Sequence, residues 1–240
     1  MLQVGDDEVP DVLVLVGILG VHAGAARFAA YLDEALERPR TLDWQGSYRG
    51  LRVALAACFG GPMAAYFAHA WCSAGVTTVL QLGWYGALQH GSRLGDVLVP
   101  RHAERQDGVS DWYLPKGILA DAAEPLAERV RHAIEARGIP VDSHAIYSTP
   151  ALLAESRDVI GDWSRHGYRG VDMETAATFA VARSMGVQRA AALIRLDDLV
   201  GEQDSLADAM SRESRAFLRE REREVMHASL DAVLDLRGRP

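Results

Sequence analysis

Two carboxylates stand where a chain could do chemistry. Glu174 lies in "GVDMETAATFA", where a strand-like run meets a helix-like one, and Asp198 lies in "LIRLDDLVG", at the end of a second apolar run. A carboxylate at a helix start is stabilised by the unpaired N–H groups and the dipole of the first turn. Its two oxygens also suit a vicinal diol such as a ribose. The same residue reads equally as a plain first-turn acid. Asp197 and Asp198 are adjacent, and neighbouring acids that are partly buried disfavour each other's charge, which suits one of them to general-acid work near neutral pH. A turn-capping aspartate explains that pair as well. A third feature is glycine-rich: in "VTTVLQLGWYGAL" (76–88) a strand-like run enters Gly83, Trp84, Tyr85 and Gly86, which reads as a tight turn. Together with Gly17 and Gly20, these glycines could aim backbone N–H groups at an anion, although turns use glycine anyway.

Other chemistries find no support in the residues. The eight histidines show no metal-like spacing, and Cys58 and Cys72 match no metal site. The two thiols read as buried and free, in a reduced cytoplasmic setting. Gly-x-Ser-x-Gly, the phosphate-loop lysine motif and a full dinucleotide fingerprint are absent from the sequence. With a net charge of −8 and scattered basic residues, a nucleic-acid partner is not expected. No apolar run is long enough to span a bilayer, and "DVLVLVGILGV" (11–21) follows three acids, so it reads as a buried strand rather than a signal peptide.

The elements that must position these residues alternate from end to end. With 240 residues, 49% of them hydrophobic, one α/β domain over 1–240 is the simplest reading. Strands are expected at 11–18, in "TLDWQGSYRG" and "LRVALAAC" as a hairpin near Gly50, in "VTTVLQLGW", "LGDVLVP", "VDSHAIYST" and "RAAALIRL". Helices are expected at 23–37, in "FGGPMAAYFAHAWCSAG", at 121–138, in "ALLAESRDVIGDWSRHG", in "ETAATFAVARSMG" and at roughly 206–235. Several strands are apolar throughout, which points to a largely parallel sheet buried between helices. Ligands of such sheets bind where loops leave the C-terminal strand ends.

The segments "GSYRGLRVALAACFGGPMAAYFAHAWCSAGV", "VLQLGWYGALQHGSRLGDVLVP", "YRGVDMETAATFAVARSMGV" and "AAALIRLDD" stand in the order found in the superfamily of purine nucleoside phosphorylases, uridine phosphorylases and methylthioadenosine nucleosidases, which this chain resembles from about residue 11 to 235. The resemblance implies an α/β three-layer sandwich around a mixed, partly barrel-like sheet, with no cofactor, a small-molecule nucleoside as ligand, and assembly as a homodimer or homohexamer. It implies that Glu174 holds the ribose hydroxyls, Met173 packs on the sugar, Asp172 is a further substrate-binding residue, and Val171 and Leu152 lie near the base. Asp198 would protonate purine N7, helped by Arg212. Tyr85 and Gly86 would line the site.

The chain departs from the pattern at the phosphate site. Where phosphorylases carry an arginine and a Ser or Thr, this sequence has Gln81 and Trp84. Arg27 is a shifted substitute for a further arginine, and Arg38 or Arg40 would be the one given to a neighbouring subunit. Phosphate as co-substrate is therefore not expected to bind in the usual way, because burying it without matched cations costs on the order of several kcal/mol. The nucleosidase branch uses water activated by a glutamate; the corresponding stretch offers Ala25, and His22 is the nearest group able to serve as a base. Cleavage of an N-glycosidic bond by phosphorolysis or by hydrolysis is the implied activity, against a non-catalytic nucleoside-binding protein or a glycosyl-transferring enzyme of specialised metabolism.

Overall fold

The computed structural model describes residues 9–38, 42–201 and 210–237. At its centre lies β1 (Val12–Gly17), buried over all six residues. It pairs in parallel with β4 (Leu51–Cys58) on one side and β5 (Thr78–Ala87) on the other. Its side chains alternate between two cores: Val12, Val14 and Val16 enter one, Leu13 and Leu15 the other. A strand covered on both faces needs apolar residues at every position, which explains its unbroken run. The first core is closed by α1 (Val21–Ala29), α3 (Glu124–Glu135) and α6 (Arg212–Arg237) through Phe28, Val130 and Val225. The second is closed by α2 (Gly61–Ser73) and α5 (Thr175–Ser184) through Phe67, Trp71 and Val181. The three-layer α/β sandwich expected from the sequence is present.

The sheet is mixed rather than largely parallel: among the described residues six ladders run parallel and five antiparallel. It also forks. The main path runs β2 (Asp33–Arg38), β3 (Asp43–Tyr48), β4, β1, β5, β11 (Gly170–Asp172), β10 (Ala145–Ser148), β7 (His102–Arg105), β8 (Ala120–Asp121). From β5 a branch leads to β12 (Gln188–Asp198), β6 (Val97–Leu98) and β9 (Val141–Asp142).

Several expectations about the elements need correction. The helix expected at 23–37 stops at Ala29, and Asp33–Arg38 forms the edge strand β2. Pairing with β3 overrides the helical composition of "DEALER", whose charged and exposed side chains suit a sheet edge. Gly83 to Gly86 is no turn: β5 continues to Ala87, paired in parallel with β12. The segment expected as one helix over 151–167 splits into a 3-10 turn, Leu152–Ala154, and α4 (Arg157–Arg165), whose N-cap Ser156 accepts the Val159 N–H. Strands β7 and β8 were not expected. The hairpin near Gly50 is present, turned by Arg49 and Gly50 with φ of +49° and +87°. Residues 206–209 of the final expected helix lie outside the described residues.

Candidate active site

The site lies where β5 changes neighbours. Its first half runs beside β1, which ends at Gly17 opposite Gly83; its far end pairs with β11 through Gly86 and Ala87. Gly83 adopts φ of +148°, and a Cβ on it would fall 2.6 Å from the Gly17 carbonyl oxygen. The two strands therefore touch through bare backbone, which only glycine permits. Beside this contact lies the Glu174 carboxylate. A Cβ on Gly17 would meet Glu174 Oε2 at 2.6 Å and Gln81 Nε2 at 3.2 Å. Glu174 Oε1 accepts the Gly60 N–H at 2.6 Å, and Oε2 accepts the Met173 N–H at 3.3 Å. Burial pushes the Glu174 carboxyl above the usual carboxylate range, the charge of Asp172 pushes the same way, and the two N–H groups offset part of this.

Asp172 holds the frame. Its Oδ1 accepts the Ser148 hydroxyl at 2.6 Å, and its Oδ2 accepts the Thr175 N–H at 2.9 Å and the Thr175 hydroxyl. Ser148 Oγ then accepts the Ala176 N–H at 3.0 Å. The carboxylate that was expected to bind substrate is thus used inside the protein, tying β10 and β11 to the start of α5 so that Glu174 is held at the N-cap. Gln81 is fully buried and likewise engaged: Oε1 accepts the Thr178 hydroxyl at 2.8 Å and Nε2 donates to the Leu82 carbonyl at 3.0 Å.

The two aromatics of β5 diverge, as strand alternation requires. Trp84 is half-buried and packs against the core that holds Leu80 and Leu82, beneath α1 and α6. Tyr85 points the other way, under Gly170, where a Cβ would meet its ring at 2.3 Å. It lines a cavity of about 780 Å³ together with Arg101, His144 and Arg169, the residues that immediately precede β7, β10 and β11. That cavity opens at the N-terminal ends of those strands, whereas Asp172 is the last residue of β11 and Glu174 follows it. Tyr85 therefore does not join Glu174.

At the far end of β5, Gly86 leaves room for Leu199 and Val171: a Cβ would meet their side chains at 2.5 and 3.4 Å. Val171 packs with Leu88, Ile160 and Trp163. Asp198 closes β12; its Oδ2 pairs with Arg195 Nη2 at 3.0 Å and its Oδ1 accepts the Gly201 N–H at 3.0 Å. A register shift between Arg195 and Asp197 brings residues three apart together. Arg195 is buried, while the Asp198 carboxylate is 30% exposed. Leu152 is partly exposed on its 3-10 turn.

Other expected residues lie elsewhere. Arg212 is exposed at the start of α6, and the arginine on Asp198 is Arg195. His22 is exposed on α1 with Glu37 at 3.7 Å. Arg27 donates twice to the buried Glu222, at 2.8 and 2.9 Å, and so locks α1 to α6. Arg38 closes β2, and Arg40 lies outside the described residues. Sequence reading missed Arg195, although a lone cation inside "AAALIRL" was a usable signal. It also missed the Gly60 N–H, for which the sequence carries no comparable mark.

A family model for the phosphorylase superfamily matches residues 13–235. A guanosine phosphorylase of Halorubrum lacusprofundi is 30% identical over 152 residues, covering 63% of this chain and 63% of that protein's length. A DeoD-type purine nucleoside phosphorylase of a Jannaschia species is 27% identical, covering 68% of this chain and 70% of its own. A uridine phosphorylase of Haemophilus influenzae is 25% identical, with 70% and 74% covered. The crystal structure of uridine phosphorylase from Vibrio fischeri in complex with 6-hydroxy-1-naphthoic acid superposes with a TM-score of 0.81 at 22% identity, over 96% of this chain and 93% of that one. The chain belongs to the phosphorylase superfamily and shares the fold of uridine phosphorylase.

Proposed function

We propose that the protein cleaves the N-glycosidic bond of a purine nucleoside and that water, rather than phosphate, takes the sugar. The observation that carries the cleavage is the buried Glu174 carboxylate, seated over Gly17 and the Gly60 N–H, while Asp198 ends a neighbouring branch of the same sheet. Glu174 accepts from the two ribose hydroxyls. Asp198 gives a proton to purine N7 as the bond electrons move onto the base, and Arg195 holds that carboxyl in place; water adds its oxygen to the sugar carbon that the base leaves and releases one proton to solvent, from which Asp198 is reprotonated. Guanosine and purine nucleoside phosphorylases among the relatives support a purine. What supports water is the polar inventory beside Gly83: Gln81 is neutral with both ends of its amide engaged, and Arg27 is committed to Glu222. Unmatched by cations, a buried phosphate dianion costs on the order of several kcal/mol.

A second reading, phosphorolysis, is favoured by the activities for which the relatives are named. Guanosine, inosine and adenosine incubated with and without inorganic phosphate, with base, free ribose and ribose 1-phosphate followed by chromatography, separate the two. Free ribose released without phosphate is the expected result; release only with phosphate overturns the choice of water. No release from any nucleoside overturns the cleavage itself. An assembly of two or six copies of the chain is part of the same family-level reading, checked by mass photometry.

A further inference from the structure

The cavity that Tyr85 lines, at the entrances of β7, β10 and β11, is separate from Glu174, which stands beyond the opposite end of β11. Its volume of about 780 Å³ is that of a small-molecule pocket. Three arginines and four acids line it. Five of these groups are engaged with one another: Arg131 bridges Glu128 and Glu135 at 2.8 and 2.7 Å, and Arg169 pairs with Asp142 at 2.7 Å. Arg101 and Asp96 remain, one charge of each sign. Among the described residues neither forms an ion pair, and the Asp96 carboxylate accepts the Arg93 N–H at 2.8 Å through Oδ2, which leaves Oδ1 for another donor. Two further residues of the lining carry hydroxyls with no hydrogen-bond partner among the described residues. Ser92 Oγ is shielded from solvent. Tyr85 is 5% exposed, and burial, then the charges of Asp96 and Asp142, push its phenol up, so the hydroxyl keeps its proton. Shielded polar groups without partners are rare and costly, and they mark a place where a ligand completes the structure.

We propose that this cavity binds a zwitterionic amino acid with an apolar side chain, its carboxylate on Arg101 and the Ser92 hydroxyl and its ammonium on Asp96 and the Tyr85 hydroxyl oxygen. Each charge of the ligand then meets the unpaired charge of opposite sign, so none is buried unmatched. A hydroxyl both donates and accepts, which lets Ser92 serve the carboxylate and Tyr85 the ammonium. A phosphate dianion would find a single unpaired cation in a lining where acids outnumber arginines, and that is costly. The Tyr85 ring, Pro140 and Val141 line the same space and give the side chain an apolar wall.

The test is calorimetry on the full chain with L-phenylalanine and L-leucine, with 3-phenylpropionate, which lacks the ammonium, with 2-phenylethylamine, which lacks the carboxylate, and with AMP as an organic phosphate. At least one of the two amino acids is expected to bind at millimolar concentration or below, with each truncated analogue weaker than phenylalanine by about tenfold or more. Arg101→Ala and Asp96→Asn should each weaken the amino acid by about tenfold or more. Arg101 is exposed, and asparagine keeps an acceptor for the Arg93 N–H, so both variants are expected to fold. Tyr85→Phe should weaken binding severalfold without lowering the thermal midpoint, because it removes a buried hydroxyl that has no partner in the fold. No binding of either amino acid, 3-phenylpropionate binding as tightly as phenylalanine, or affinity unchanged in Arg101→Ala and Asp96→Asn overturns the proposal. AMP binding more tightly than both amino acids, and lost in Arg101→Ala, overturns it in favour of an organic phosphate.

Discussion

On the proposed reading the site has a sugar end at Glu174 and a base end at Asp198, and the two are built differently. Around Glu174, the side chains of Asp172, Ser148, Thr175, Gln81 and Thr178 are all buried and hydrogen-bonded, and all stand on strands or on α5. At the base end Asp198 is partly exposed on a bulged strand end, and Leu153 is fully exposed. Rigid elements hold groups to the tolerance that chemistry needs, while loops vary at little cost to the core. On the proposed reading, the end that meets the feature common to all ribonucleosides is locked, and the end that meets the variable base is loose. Replacing the acid of the loose end is the strongest way to break this comparison. Asp198→Asn keeps the bond from the Gly201 N–H but removes the transferable proton, so kcat/KM for purine nucleosides should fall by about 10²–10⁴, with a thermal midpoint close to that of the wild type. Full activity in steady-state assays of that variant would show that the base leaves without help from this end.

Much of the locked end was legible in the sequence, because its signals are local. Glu174 precedes "TAATFA" at a strand-to-helix junction, and a carboxylate there has a physical reason to sit at the helix start. The unbroken apolar run of β1 announced a strand covered on both faces. The loose end was less legible. Asp198 was visible as an acid after a strand, but its partner was sought on the final helix at Arg212, whereas a register shift in β12 folds Arg195 back onto it. Bulges are set by tertiary pairing, not by local composition. The Gly83–Gly86 stretch misled for a related reason. Two glycines three apart read as a turn, yet Gly83 is required by the closeness of the Gly17 backbone and Gly86 by Leu199.

The locked end yields the next largest effect. Glu174→Gln retains one acceptor for the Gly60 N–H but places an amide N–H where the carboxylate takes a ribose hydroxyl, so kcat/KM should fall by about 10–100-fold, mostly through KM. Stability should move the other way. The folded-state value of Glu174 is raised above the unfolded one, so the unfolded chain loses this proton first as pH rises. The wild type is then most stable, as far as this group is concerned, below the ordinary carboxylate range, and loses stability as pH climbs through the raised value. Glu174→Gln lacks that loss and should be more stable than the wild type at pH 9 by on the order of 1–3 kcal/mol, with the gain vanishing near pH 4. Urea titrations at the two pH values give the difference directly. A variant no more stable at pH 9 than the wild type would mean that the sugar end holds its charge without cost.

The smallest effect separates holding from packing at the loose end. Arg195 is buried, yet its Nε has no hydrogen-bond partner and its guanidinium is anchored to Asp198 through Nη2. If it serves the reaction by aiming that carboxylate, Arg195→Met should lower kcat by about tenfold, the scale of one misplaced hydrogen-bonded group, while KM for guanosine changes less. Arg195→Lys restores a cation that reaches fewer acceptors and should recover part of the rate. If Arg195 merely fills space between β12 and its neighbours, Met and Lys would instead shift the thermal midpoint and leave kcat alone at temperatures where both variants are folded. A loss of kcat rescued by Lys makes the loose end a device that one buried arginine keeps in register, whereas equal kcat in all three proteins leaves Asp198 positioned by the Gly201 N–H and the bulge alone.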